Sequence, residues 1–553
     1  MKTLFGALLV VFSSMAIAET CAPNTEKSVY WGDLHIHTSF SMDAYVWDNQ
    51  VQPEDAYRFA KGHPQQLLDG SEIKLDRPLD FAAVTDHAEY FGVTYACLIE
   101  NPKTPYCRDL LDVSKEESPR GFYEFFLPAL LRGDRLCQNG EATCPQAERS
   151  LWERIQDAAN QANDPCQFTA FIANEWTPSP GNLHWHRNII YANEHVPQHP
   201  INSFDQPDQK DLWRVLDASC VGECDVLAIP HNSNLGMGGT FDLSGHDVND
   251  LSDRARFERL VEIHQHKGSS ECIAGIASAA NFADEDCDFE IMLPVPLLRK
   301  QAAGDALTGE EHAKIAQGYV RNTLLRGLET KAQEGVNPFV YGFIGSTDTH
   351  SARPGSVEEQ GWRGSIGTYD QDPERLATYT HYNPGGLAAV WAKENTREAI
   401  FAALKNRETY ATSGPRIELR VDMFPHDVKC AEPDSNTASL EGVVMGGVYT
   451  AKAEPTVRVR VAPDRNPLER VDVIKLTYAE GEMRQQVKRI DLSDADRLAG
   501  GYCATWSDVT YEPNVPTAYY VRVLEVPSPR WDGKSQVQER AWSSPIWNSA
   551  GYN

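Results

Sequence analysis

Tyr30-Trp31-Gly32-Asp33-Leu34-His35-Ile36-His37 alternates with a period of two, the repeat of a β-strand, which puts His35 and His37 on one face. Five further runs are short, apolar or β-branched, and bounded by turn residues, the signature of buried strands. Phe81–Val84 leads into Thr85-Asp86-His87, and residues 168–173 lead into Asn174-Glu175-Trp176. Residues 226–229 precede Pro230-His231-Asn232, and residues 260–263 precede His264-Gln265-His266. Residues 339–344 precede Gly345-Ser346-Thr347-Asp348-Thr349-His350. Helical segments over 53–61, 310–332 and 396–406 lie between these runs, so strands alternate with helices. That order predicts an α/β barrel rather than a sandwich, with the loops after the strands building one rim. One His, Asp or Glu at a strand end is usually a cap or turn former. Repeated at five or six strand ends, the same residue types furnish that rim with ligands.

The chain has 553 residues and a net charge of −28, and 41% of its residues are hydrophobic. That is enough for a large domain and a smaller one, and it excludes disorder and fibrous repeats. The negative charge disfavours nucleic acid as a partner and leaves a small-molecule substrate. Lys2, the apolar stretch 4–18 and Ala16-Ile17-Ala18 read as a cleaved signal peptide over 1–18, hence a periplasmic or secreted protein with no stable membrane insertion. Twelve cysteines fit disulfides in an oxidising compartment. Cys97/Cys107, Cys137/Cys144 and Cys272/Cys287 are near in sequence, and Cys220-x-x-x-Cys224 reads as a disulfide rather than half a zinc site. After Pro415, β-branched runs over 416–421, 456–461, 471–476 and 518–526 alternate with Pro, Gly, Asp and Asn. Residues 19–415 are thus expected to form the barrel and 416–553 a smaller β-rich domain. Seven histidines, His63, His195, His199, His246, His312, His381 and His426, have no strand-end placement and read as surface or core residues.

Asp33-Leu34-His35-Ile36-His37-Thr38 with Ser41-Met42-Asp43 resembles the opening motif of the polymerase and histidinol phosphatase (PHP) superfamily. Thr85-Asp86-His87 resembles its second motif and Asp348-Thr349-His350 its last. More narrowly, the chain resembles an exported family of that superfamily named only as a domain of unknown function. That likeness rests on Asn174-Glu175-Trp176-Thr177, the Gly361-Trp362-Arg363-Gly364-Ser365 stretch, Glu408-Thr409-Tyr410 through Gly414-Pro415-Arg416, and Glu539-Arg540-Ala541-Trp542 through Ile546-Trp547. The resemblance implies a distorted seven-stranded β/α barrel with up to three divalent metals. His35, His37, Glu175 and Asp348 would hold the first. Asp43, which stands where the superfamily often has His, would hold the second with His87 and His350. Glu175, His186 and His231 would hold the third, with Glu175 bridging. His186 precedes its apolar run instead of following one, so a strand descending from the same rim is needed to place it, and His184 lies two residues away.

Six imidazoles and three carboxylates form mixed nitrogen and oxygen sites that suit Zn, Mn or Fe. Such a cluster activates a bridging water and neutralises charge on a phosphoryl group, so little else is needed for phosphate-ester hydrolysis. Asp348, His350, Glu175 and His266 are the candidate catalytic residues. Asp86 is expected to orient a ligand imidazole. His264, His266 or Lys267 could face the cluster, and Lys267 or Arg363 could pair with a phosphate oxygen. No G-x-S-x-G elbow supports a serine nucleophile. The main expectation is an exported hydrolase of small phosphate mono- or diesters. A second keeps the metals and cleaves carboxyl esters or carbamates, with Trp176, Trp185 and Trp362 lining an aryl pocket. A third is a non-catalytic metal- or ligand-binding protein. Oligomeric state is left open.

Overall fold

A computed structural model describes residues 21, 26–100, 144–274, 284, 286–378, 380–430, 442–493 and 495–553. Ser28–Ile36 lies within a 13-stranded mixed sheet, parallel to Phe81–Val84 and antiparallel to Leu387–Ala392. Phe81–Val84 is in turn parallel to Thr169–Trp176. Beyond it come Arg187–Tyr191 and Val226–Pro230, each antiparallel to its predecessor. Every residue of Phe81–Val84 and Val226–Pro230 is buried, as expected of strands covered on both faces, which read as continuous apolar runs.

A separate ladder holds Gly342–Gly345 parallel to Leu260–Gln265. It meets the large sheet at the rim, where Ile36 bridges Thr349 in parallel and Gly386 N–H donates to Ser346 O at 2.8 Å. Among the described residues the ladders do not close into one hydrogen-bonded ring of seven strands. The architecture is mixed α/β with a large sheet and a β-rich C-terminal region.

The helices over 53–61 and 396–406 form as Pro53–Ala60 and Arg397–Lys405, the first with Pro at its first turn and the second capped by the Thr396 side chain. The expected single helix over 310–332 is instead two, Gly309–Gln317 and Val320–Glu334. The break falls at Gly318, where a Cβ would meet Ser233 O at 2.4 Å, so the chain passes too close to its neighbour for a side chain. Residues 339–341 are not strand, because the Asn337 side chain accepts the Phe339 N–H at 2.9 Å and turns the backbone.

In the C-terminal region, Glu418–Phe424, Thr456–Ala462 and Gly501–Ser507 lie in a five-stranded sheet. Other C-terminal strands join the large sheet: Arg540–Ser543 pairs with Thr409–Thr412 and with Thr517–Glu525, which pairs with Leu468–Ala479. Trp31, Tyr410, Leu419 and Val459 belong to one buried cluster, so both regions share a core.

Cys220–Cys224 and Cys272–Cys287 are bonded, and Cys21–Cys166 and Cys430–Cys503 close longer loops. The pairs Cys97/Cys107 and Cys137/Cys144, and the segment 1–18, involve residues outside the described ones. No described helix is long and apolar enough to cross a membrane.

Candidate metal centre

Two buried carboxylates set the loops of the rim. Asp33 accepts from Thr347 N–H at 3.1 Å, Thr347 Oγ1 at 2.6 Å and Gly355 N–H at 3.0 Å, which ties the first strand to the loop carrying Asp348. Asp86 accepts from Thr38 N–H at 2.6 Å and Thr38 Oγ1 at 2.7 Å. It therefore does not orient an imidazole as expected; it fixes the turn just after His37. Burial raises both carboxyls, Asp33 to about 6 and Asp86 to about 7, against the hydrogen bonds that pull them down. Asp348 itself sits at a φ of +54°, a left-handed conformation that non-glycine residues rarely adopt and that recurs at functional positions.

The strand ends and the segments beside them bring His35, His37, Asp43, His87, Glu175, His186, His231, His266, Asp348 and His350 together. The two oxygens of Glu175 face different imidazoles. Oε2 lies 3.1 Å from His35 Nε2 and 3.4 Å from His37 Nε2, whereas Oε1 lies 2.9 Å from His186 Nδ1 and 3.3 Å from His231 Nε2. Asp348 Oδ1 is 3.0 Å from His37 Nε2 and 3.2 Å from His35 Nε2. Asp43 Oδ2 lies 2.8 Å from His350 Nε2 and 3.1 Å from His87 Nε2. His186 reaches the cluster because Arg187–Tyr191 runs antiparallel to Thr169–Trp176, starting from the rim where the latter ends.

Most rings are held from behind. Glu262 Oε2 lies 3.1 Å from His35 Nδ1, and Ser41 Oγ 2.7 Å from His37 Nδ1. Thr177 Oγ1 lies 2.6 Å from His87 Nδ1, and Ser365 Oγ 2.6 Å from His266 Nδ1. Oxygen partners on the far ring nitrogen fix a metal ligand's tautomer and direction. Glu262 and the hydroxyls were not foreseen. Glu262 and His264, two apart, should share a face, yet only Glu262 turns inward. A register shift opposite Ile344 and Gly345 adds one residue to the strand, which sends His264 against Phe289 and Trp542 and brings Gln265 within 2.7 Å of Asp348 Oδ2.

Charge is unevenly shared. Burial pushes the His35 imidazole down, but Asp348 and Glu262 beside it hold it up at about 10. His37 is driven well below the usual imidazole range by burial and by His350 and His87. Burial likewise lowers His186 to about 4 and His266 to about 3. Burial works against ionisation of Glu175 and Asp348, yet His87 and His231 around one and His35 and Lys267 around the other hold both carboxylates well below their usual range.

Among the buried ligand-type atoms here, His37 Nε2, His231 Nε2, His266 Nε2 and Asp348 Oδ1 have no partner in hydrogen-bond geometry. Leaving each buried and unsatisfied costs about 1–3 kcal/mol, and cations shared among these residues would satisfy them. Four His and carboxylate groups here have ligand atoms within 4.8 Å of one another: His37/Asp43/His87/His350, His35/His37/Asp348, His35/Glu175/His231 and His266/Asp348/His350. The donor set therefore fits metal ions.

A cavity of about 180 Å³ opens onto the cluster, with Trp47, Ile366 and Tyr382 as its apolar wall and Lys267 on its polar side. Lys267 Nζ contacts Asp348 Oδ2, and Tyr382 stacks on His266 with ring centroids 5.1 Å apart. Arg363 instead pairs with Asp69 at 2.8 Å. The tryptophans expected in an aryl pocket are elsewhere. Trp176 and Trp185 donate to the carbonyls of Gln206 and Gly236, and Trp362 packs on Trp531.

A mixed α/β chain with a buried cluster of imidazoles and carboxylates able to hold several cations is the class these observations define. Residues 24–501 and 499–550 match the family described as "Protein of unknown function (DUF3604)", and the chain belongs to that family. It is 22% identical over 404 residues to an uncharacterized protein of Chlamydia pneumoniae, covering 72% of this chain and 49% of that protein. The chain thus spans about half the length of that relative. A crystal structure of a two-domain protein from Bacteroides vulgatus, containing a predicted PHP-like metal-dependent phosphoesterase, aligns over 96% of this chain and 97% of that one. Identity is 11% and the TM-score 0.30, too low for the likeness to bear on fold or activity.

Proposed function

We propose that the protein is an exported, metal-dependent hydrolase of small phosphate esters, with the strand ends closing a distorted barrel around its centre. The observation that carries this reading is the set of unsatisfied buried ligand atoms around Asp348 and Glu175, a carboxylate whose two oxygens serve different imidazoles. His35, His37, Glu175 and Asp348 would hold one Zn, Mn or Fe ion, Asp43, His87 and His350 a second, and Glu175, His186 and His231 a third. When bound, such ions supply Lewis acidity and neutralise charge in a displacement at phosphorus. The chain's own part is positional: Glu262, Ser41, Thr177 and Ser365 aim the rings, and Lys267 brings a positive charge beside Asp348 for a non-bridging ester oxygen. His266, its ring held between Ser365 and Tyr382 and kept neutral by burial, would act as a proton acceptor beside the centre.

The apolar wall of Trp47, Ile366 and Tyr382 favours a second reading on the same centre, cleavage of aryl carboxyl esters or carbamates. Both are tested by one panel: an aryl phosphomonoester, a phosphodiester, a carboxyl ester and a carbamate, offered to protein reconstituted separately with Zn, Mn and Fe. Metal-dependent phosphate-ester turnover, lost in Asp348→Ala, is expected. Faster turnover of the carboxyl ester or carbamate would replace the first reading with the second. Full activity after chelation would overturn both.

A further inference from the structure

A second cavity, of about 540 Å³, lies between the loop that follows His350 and the C-terminal strands. It is lined by Trp362, Pro415 and Glu539, from three of the stretches that carry the family resemblance. Glu359 and Glu525 complete its acidic wall.

The acidic side chains there are less well partnered than the basic ones. Six carboxyl groups and four basic side chains line the cavity. The arginines are already engaged: Arg77 with Asp464 at 2.6 Å, Arg465 with Glu358 at 2.7 Å, and Arg416 with the carbonyls of Arg77 and Pro78 at 2.8 Å each. Lys74 is exposed. Glu525, by contrast, is 0% exposed and its Oε1 has no hydrogen-bond partner, while Asn466 donates to Oε2 at 3.1 Å. Glu539 is 3% exposed, with Ser413 donating to it. Burying such carboxyls without a counter-charge is costly. Burial accordingly raises Glu525 and Glu359 to about 7 and Glu539 well above its ordinary range.

We propose that this cavity binds a small organic cation, its ammonium against Glu525 and Glu539 and its apolar body against Trp362. A metal ion is the poorer fit: among the described residues, these carboxylates are in no group of three whose ligand atoms approach within 4.8 Å, and the space exceeds what one ion needs. An ammonium tolerates more widely spaced carboxylates, and Trp362 offers apolar surface for the rest of the molecule.

The test is calorimetric titration of the full chain with 1,4-diaminobutane, using 1,4-butanediol as the uncharged control. Saturable binding of the diamine and none of the diol is expected. Glu525→Gln should weaken diamine affinity at least tenfold, and Asp348→Ala should leave it unchanged, since the catalytic centre is not involved. Should Glu525→Gln fail to fold, Glu539→Gln is expected to show the same loss. Equal binding of diol and diamine, no binding of either, or unaltered affinity in a folded glutamate variant would overturn the proposal. Saturation by calcium chloride in place of the diamine, abolished in Glu525→Gln, would overturn it in favour of a metal ion.

Discussion

Replacing Glu262 by glutamine keeps the side chain's size and removes the charge that holds His35 Nδ1. Because Glu262 touches the back of a ligand rather than the cavity, Glu262→Gln is expected to fold and to bind metal about 10–100-fold more weakly, the usual cost of losing an orienting partner. Titration of chelated protein with Zn checks this, and wild-type affinity in the variant would contradict it. Most of the candidate ligands were legible in the sequence because they follow apolar runs, with Asp43 and His186 supplied by the family resemblance; their supports were not. Glu262 sits two residues before His264, and only the register shift opposite Ile344 and Gly345 separates the faces they occupy. Ser41, Thr177 and Ser365 are ordinary hydroxyls until the fold brings an imidazole against each. Asp86 looked like an orienting carboxylate from its place in Thr85-Asp86-His87, but the backbone turn at Thr38 presents two donors to it first.

At the scale of elements, the hairpin from Leu260–Gln265 to Gly268–Ser269 delivers His266 and Lys267 together. Gly268 makes it possible: its φ is +98°, and a Cβ there would meet Glu290 O at 2.3 Å. Gly268→Ala is therefore expected to destabilise the fold by about 1–3 kcal/mol and to reduce turnover by displacing Lys267. A thermal unfolding midpoint within a degree of wild type would contradict the first expectation. Strand positions were readable because both periodicity and burial leave marks in the sequence. The break at Gly318 and the turn at Asn337 were not: the first depends on the Ser233 carbonyl, distant in the chain, and the second on a local side-chain acceptor set just before an apolar run that otherwise reads as strand. His186 shows the same limit from the other side. Its place before an apolar run made sense only once that strand proved to descend from the rim.

Across the whole molecule, the C-terminal strands are fastened to the rest by buried charge as well as by the shared sheet. Glu271 accepts from Tyr520 Oη and Trp542 Nε1 at 2.7 Å each, and Arg522 reaches it at 3.3 Å and Asp284 at 3.1 Å. Burial raises the Glu271 carboxyl, but Arg522 and Arg321 outweigh it and hold it at about 2, against a usual 4.5. A lowered folded value means that this stabilisation is complete above pH 4.5 and is lost as pH falls toward 2. Glu271→Gln is expected to destabilise the fold at neutral pH by less than the roughly 3–5 kcal/mol of a wholly uncompensated buried charge, because Asp284 still faces Arg321 and Arg522. It should also flatten the pH dependence of stability over that acid window. Denaturant unfolding of chelated wild type and variant between pH 2 and 7 checks both, and parallel curves would contradict the linkage.

A shared multinuclear centre around Glu175 is tested most directly by counting metal. Wild-type protein equilibrated with Zn and dialysed should retain two or more ions per chain by elemental analysis, and Glu175→Gln should retain fewer, because one carboxylate facing two sets of imidazoles has been neutralised. Fewer than one ion per wild-type chain, or an identical count in the folded variant, would contradict it.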